Sequence, residues 1–132
     1  MSLKRKFVKD LQSVNYTYQD IFNSSPISTI ILDLNGTILE ANNAALALFQ
    51  YSEAELLKLS YVDFVPERFK ELAGQGWDRL IKKGFQNSIH LGRKKNNSEA
   101  IIHYKCSVKE ERNIVIAVIN EVDRDSKAAR HL

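Results

Sequence analysis

Apolar residues follow two different rhythms along this chain. At the amino end Phe7, Leu11, Val14, Tyr18 and Ile21 recur at spacings of four, three, four and three, which lays one apolar seam along a helix of about four turns. Ile30-Ile31-Leu32 and the Ile-Val-Ile-Ala-Val-Ile run at 114–119 are instead apolar at every position. Strands covered on both faces read this way, whereas strands with one wet face alternate. The first and last strands are therefore expected at the centre of a sheet, with apolar cover on both sides. The spare apolar surface for the outer side is the amino-terminal helix, either the chain's own or a partner's.

Turn and cap residues punctuate the rest. Asn35-Gly36, between Ile30-Ile31-Leu32 and Thr37-Ile38-Leu39, predicts a hairpin with a two-residue turn, because Asn and Gly adopt positive φ at little cost. Asn42 is placed to cap the helix that follows. Ser52 with Glu55 reads as a capping box that opens a short helix through Leu56, Leu57 and Leu59. Pro66 suits the first turn of a longer helix, with Phe69, Leu72, Ala73, Gly76, Trp77, Leu80 and Ile81 on one face and Gly84 at its end. Gly74 and Gly76 weaken that helix by about 1 kcal/mol each relative to alanine, which leaves its middle free to kink or open.

Asn96-Asn97 offers a second two-residue turn, and that turn sets a register. Leu91 then pairs with Ile102, Ile89 with Tyr104, Asn87 with Cys106 and Phe85 with Val108, all on one mostly apolar face. His90 falls opposite His103 on the other, wetter face, with Arg93, Lys105 and Ser88 nearby.

Read together, Asn23-Ser24-Ser25-Pro26, Asp33, Asn35-Gly36-Thr37-Ile38, Ala41-Asn42 with Ala44-Ala45, Phe49-Gln50-Tyr51-Ser52 and Glu55-Leu56-Leu57 closely resemble a PAS domain. The resemblance covers residues 18–125. It implies an α+β fold with a five-stranded antiparallel sheet in order 2-1-5-4-3, helices packed on one face and an N-terminal helix on the other. Residues 1–22 are then an amphipathic helix serving as dimer contact or cap, 23–125 the PAS domain, and 126–132 the start of a C-terminal linker helix. Members usually close with Asp-Ile-Thr; here Glu121-Val122-Asp123 keeps the acid and the β-branched residue but ends on a carboxylate, which still suits a helix cap.

Composition narrows the picture further. With 132 residues, 44% of them apolar and 27% charged, the chain reads as one soluble globular domain. The formal charge of +3 owes much to Lys4, Arg5, Lys6 and Lys9, and without aromatic-basic interleaving these read as a solvated helix face rather than a nucleic-acid surface. No apolar run approaches the ~20 residues that cross a bilayer, so no membrane contact is expected, and a cytoplasmic location fits a chain whose single cysteine, Cys106, excludes an internal disulfide. Met-Ser-Leu reads as a leader, and Ala128-Ala129-Arg130-His131-Leu132 as a helix cut short, so a piece of a longer protein is expected.

Catalysis finds little support. Asp33, Glu40, Glu53 and Glu55 fall at a turn, in a strand or at a cap, and no Ser-His-Asp or Cys-His set is assembled by these elements. Asp33-x-Asn35-Gly36 opens like a calcium loop, but the later ligands are missing. His90 and His103 do not complete a metal site, and Cys106 has no partner thiol. The chain is thus expected to be no enzyme by itself and to hold no metal.

The resemblance also allows cofactors to be tested residue by residue. Haem-binding members place an axial histidine on the long helix; aligned on Val65-Pro66-Glu67, that position falls at or beside Ala73. Flavin photosensors of the LOV type carry a reactive cysteine just before this helix, where Tyr61-Val62-Asp63-Phe64-Val65-Pro66 stands. No cofactor is therefore predicted, and a small-molecule ligand, if bound, is of unknown identity. The cavity candidates are Trp77, Phe85, Asn87, Ile89, Leu91, Ile102 and Tyr104, a composition that suits a ligand pocket and equally suits a packed core. The resemblance implies a sensory or regulatory module of a signalling protein such as a histidine kinase, cyclic-dinucleotide enzyme or transcriptional regulator. It would relay through its terminal helices to an effector domain of the same polypeptide and form a homodimer. The alternative is a ligand-free interaction or homodimerisation module.

Overall fold

The computed structural model describes residues 17–123 and 125. In chain order the elements are α1 (Tyr18–Ser24), β1 (Ser28–Asp33), β2 (Ile38–Ala41), α2 (Asn43–Phe49), α3 (Glu53–Leu56), α4 (Lys70–Lys83), β3 (Phe85–Arg93), β4 (Glu99–Lys109) and β5 (Ile114–Glu121). Short 3₁₀ turns occupy Tyr61–Phe64, Glu67–Phe69 and Glu110–Arg112. The strands form one sheet in order β2-β1-β5-β4-β3, each neighbouring pair antiparallel. The two wholly apolar runs therefore lie inside the sheet, β5 at its centre and β1 beside it, as strands apolar on both faces require.

Helices lie over one face, where the core forms. Ile30 and Leu32 from β1, Ile102 from β4 and Val115, Ala117 and Ile119 from β5 meet Phe49, Leu56, Phe64 and Leu80 from the helical side. On the outer face Ile31 is buried, while Ile114, Ile116 and Val118 are half-buried; Ile101, of outward parity, is buried and also borders the cavity. Of the amino-terminal seam, Phe7, Leu11 and Val14 lie outside the described residues. Tyr18 and Ile21 belong to α1, which packs on α2 and leaves them 57% and 56% exposed. Thr17 and Asp20 cap α1 reciprocally.

Local chemistry accounts for the helix starts. Asn42 caps α2, its Oδ1 accepting from Ala45 N at 3.1 Å. Ser52 and Glu55 form the expected box, but the helix it opens ends at Leu56, earlier than the leucine pattern suggested. The long helix also starts later than expected. Pro66 leads into the 3₁₀ turn, Phe69 sits at φ −112° and ψ 4°, and α4 begins only at Lys70. It then runs unbroken through Gly74 and Gly76 to Gly84, whose φ of +87° ends it.

Both hairpins correct the turn assignments. In the first, Asp33 O accepts from Gly36 N at 3.0 Å and Asp33 N donates to Thr37 O at 2.9 Å. In the second, Lys94 O accepts from Asn97 N at 2.9 Å and Lys94 N donates to Ser98 O at 3.0 Å. Gly36 (φ 91°) and Asn97 (φ 69°) are left-handed, so each loop is a type I turn followed by an extra left-handed residue rather than a two-residue turn. At β1–β2 a bulge between Ile31 and Leu32 absorbs the change and turns both Ile38 and Ala41 into the core.

At β3–β4 the extra residue shifts the register by one. Leu91 pairs with Ile101, Ile89 with His103, Asn87 with Lys105 and Phe85 with Ser107. Because side chains alternate with period two, that slip carries one strand's whole set of side chains to the opposite face. Tyr104 and Cys106 keep the expected inward parity; on β3 it is Gln86, Ser88 and His90 that join them. His90 and His103 consequently stand on opposite faces of the sheet.

Candidate functional site

A cavity of about 900 Å³ lies between α4 and the inner face of the sheet. Its floor is apolar and comes from the central strands, through Ile30, Leu32, Ala117 and Ile119. Its roof is the face of α4 that carries Ala73, Gly76, Trp77 and Leu80, and Phe49, Phe64 and Phe69 close the sides. The sequence separates these elements widely; the crossover of α4 back over the sheet brings them together.

Trp77 is fixed at two points. Its indole Nε1 donates to Leu34 O at 2.9 Å, and its ring stacks on Tyr61 with centroids 4.5 Å apart and planes 9° from parallel. The Cδ1–Cε1 edge of Tyr61 in turn lies against Gly36, where an added Cβ would stand 2.3 Å from Cδ1 and 2.6 Å from Cε1. Gly36 thus serves twice, taking the left-handed turn conformation and leaving room for the ring that braces Trp77. Burial, and secondarily the charge of Asp78, raise the Tyr61 phenol above its ordinary pKa.

The polar groups are concentrated on β3 and β4. Ser88 Oγ is fully buried without a hydrogen-bond partner among the described residues, an arrangement that costs about 1–3 kcal/mol unless something in the cavity meets it. His90 stacks on Tyr104, centroids 4.7 Å apart. Burial, with Cys106 as a smaller influence, raises the Tyr104 phenol, and burial pushes the Cys106 thiol up to about 11. Both groups are therefore neutral hydrogen-bonding or apolar surface near pH 7. At the rim the Gln86 side chain comes up to α4 beside Gly76, one turn before Arg79 on the same helix: a Cβ at Gly76 would lie 3.6 Å from Gln86 Nε2 and 3.8 Å from Arg79 Nη2, ordinary contact distances. Glu99, also in the lining, is held by Arg68 through two bonds of 2.6 and 2.7 Å.

The expected cavity residues divide largely by strand parity, with Leu91 the exception, since it shares the parity of Ile89 yet borders the cavity. Trp77, Leu91 and Tyr104 line the cavity. Ile102 faces inward but is wholly buried in the core. Phe85, Asn87 and Ile89 stand on the outer face because of the register shift; Phe85 is 67% exposed and Asn87 Oδ1 meets His103 Nε2 at 2.5 Å. Gln86, Ser88, His90 and Arg79 were missed. The signal for the first three was the Asn97 position, where a left-handed residue lengthens the loop by one.

Two further motifs resolve into local structure. Asp33 Oδ1 accepts from Asn35 N and Thr37 N, each at 2.9 Å, so the calcium-like opening is a turn. Asp123 Oδ1 accepts from Asp125 N at 3.0 Å, while 126–132 lie outside the described residues. Among the described lining residues the only imidazole is His90, on β3 rather than α4, and the only thiol is Cys106, on β4. No group of three potential metal ligands occurs among the described residues.

Sheet order, helices over one face and a chamber between them define an α+β domain built around an internal cavity. The PAS fold family matches residues 16–121. The chain belongs to that family. Solved structures with the same fold include a PAS domain from a two-component sensor histidine kinase, with a TM-score of 0.71 and 16% identity over 86% of this chain and 99% of that one. A domain of a sensory box sensor histidine kinase/response regulator from Geobacter sulfurreducens gives 0.70 and 16% over 87% and 96%. The PAS domain, in complex with ethanol, of a LuxR-family transcriptional regulator from Burkholderia thailandensis gives 0.69 and 14% over 81% and 98%. A comparison with curated proteins gave no significant match.

Proposed function

We propose that this domain is the sensory part of a signalling protein and that a small molecule occupying the cavity is its signal. The observation that carries the reading is the buried Ser88 hydroxyl without a partner, in the wall of a cavity of about 900 Å³. A volume of this order accommodates a drug-sized ligand, and a mostly apolar lining with a few convergent polar groups is the usual composition of such sites. The names of the neighbours agree with the reading, since they come from sensor kinases and regulators and one holds a small organic molecule.

In this reading residues 23–125 are the sensing unit and 126–132 begin the link to an effector domain of the same polypeptide, in the cytoplasm. No helix among the described residues is long and apolar enough to cross a membrane. Signalling requires the ligand to bind two conformations with different affinity, because equal affinity shifts no population. The domain contributes no catalytic step.

The test is native mass spectrometry of the purified chain beside Ala73→Trp, which fills the roof of the cavity. Bound small-molecule mass on the wild type that disappears in the variant supports sensing. A wild type without bound mass, and without any change in Trp77 fluorescence across a metabolite library, refutes it.

A second reading has its own support. Tyr18 and Ile21 are more than half exposed on α1, and Ile114, Ile116 and Val118 leave the outer sheet face only half covered. A homodimer joined through the amino-terminal helix would bury both. Leu11→Asp is expected to weaken that association, and an unchanged dimer in sedimentation would remove the assignment.

A further inference from the structure

The rim of the cavity carries an imbalance of charge and of hydrogen-bond donors. Arg79 is an exposed residue in the lining, and no ion pair among the described residues engages it, whereas Arg68, Lys70, Lys94 and Lys95 each have a carboxylate. Arg79 Nη2 and the Gln86 amide nitrogen both lie within 4 Å of the point where a Gly76 Cβ would stand. Ser88 follows Gln86 by two residues on the same face of β3, a step of about 7 Å along the strand, and its buried hydroxyl has no partner. The single lining carboxylate among the described residues, Glu99, is held by the Arg68 guanidinium. Beyond this rim the chamber is aromatic and aliphatic, from Trp77 and Leu80 to Phe49 and Ile30.

We infer that the cavity takes a monocarboxylic acid with an apolar body, its carboxylate at the rim between Arg79, Gln86 and Ser88 and its body under α4. The inference rests on the ligand-sensing reading and deepens it. A guanidinium, an amide and a hydroxyl all donate, and a carboxylate only accepts, so one anionic head satisfies the groups that the protein leaves open. Among the described lining residues Arg79 is the only guanidinium or ammonium, so a dianion has no second permanent cation to meet it, and a cationic ligand would meet Arg79 with like charge. The neutral Tyr104 and Cys106 deeper inside suit an uncharged body.

The test uses the full chain with 4-phenylbutanoate and its neutral counterpart 4-phenylbutan-1-ol, read by the fluorescence of Trp77, the only tryptophan, and by saturation-transfer NMR. The acid is expected to bind about tenfold more tightly than the alcohol, the equivalent of one charge-assisted contact. In Arg79→Gln that preference should collapse to about one, and Arg79→Lys should restore part of it; circular dichroism confirms that each variant is folded. Equal binding of acid and alcohol, or a preference that survives Arg79→Gln, overturns the carboxylate assignment and leaves the sensing reading in place. Binding of neither probe overturns the assignment together with the cavity reading on which it rests.

Discussion

Asn42 joins three parts of the chain through one side chain. Its Oδ1 accepts from Thr29 N at 3.0 Å and Ala45 N at 3.1 Å, and its Nδ2 donates to Ile27 O at 2.7 Å. The residue is fully buried. Asn42→Ala therefore strands two amide donors and a carbonyl at the junction of β1, β2 and α2. At about 1 kcal/mol or slightly more for each orphaned group, the loss sums to about 3–4 kcal/mol, a large share of the roughly 5–15 kcal/mol that holds a domain of this kind together. Urea denaturation followed by Trp77 fluorescence and far-UV circular dichroism measures it, with a lower midpoint and an unchanged slope. Asn42→Asp keeps the acceptor but sets a carboxylate against the Ile27 carbonyl, so at neutral pH it should lose nearly as much. Protonating that carboxyl restores a donor, and stability should partly return on mild acidification. A loss below about 1 kcal/mol in Asn42→Ala would refute the junction role.

Three further outcomes follow from the same geometry. At Gly92 an added Cβ would stand 2.8 Å from Ile102 Cγ1 and 3.2 Å from Tyr104 Oη, so Gly92→Ala is expected to destabilise by about 1–3 kcal/mol through overpacking; an unchanged thermal midpoint would show that the core yields freely. Burial raises the Cys106 thiol to about 11 from 9.0, so its contribution to stability is present below pH 9 and is lost as pH rises through 11. Tyr104 is raised in the same sense, and Cys106→Ala should flatten part of the alkaline loss seen in pH-dependent melts. Native Cys106 should also react slowly with a disulfide reagent at neutral pH and quickly in urea. Glu55, in contact with Lys95 and the Ser52 amide and hydroxyl, is lowered to about 2 from 4.5. Its contribution is therefore present above pH 4.5 and lost as pH falls through 2, and Lys95→Ala should move its NMR titration upward; an unmoved titration would show that the 2.5 Å contact with Lys95 does not persist in solution.

What the sequence settled by itself concerns groups that act within a few residues of one another. Ser52 and Glu55 capped a helix, Asn42 capped another, and Gly84 ended a third, because each choice depends on local backbone geometry. Strand placement was also legible, since residues 30–32 and 114–119 carry no polar side that solvent could take. Tertiary structure decided the rest. Whether Asn97 entered the left-handed region depended on the fit of the whole hairpin, whose Lys95 N reaches Phe49 O at 3.0 Å. That one residue determined that Ser88 rather than Ile89 looks into the cavity. Leu72 to Leu80 likewise read as a helix face from the sequence, but whether a face meets packed side chains or an open chamber is a property of volumes summed from distant segments. A side chain's identity is local; the space left beside it belongs to every element that borders it.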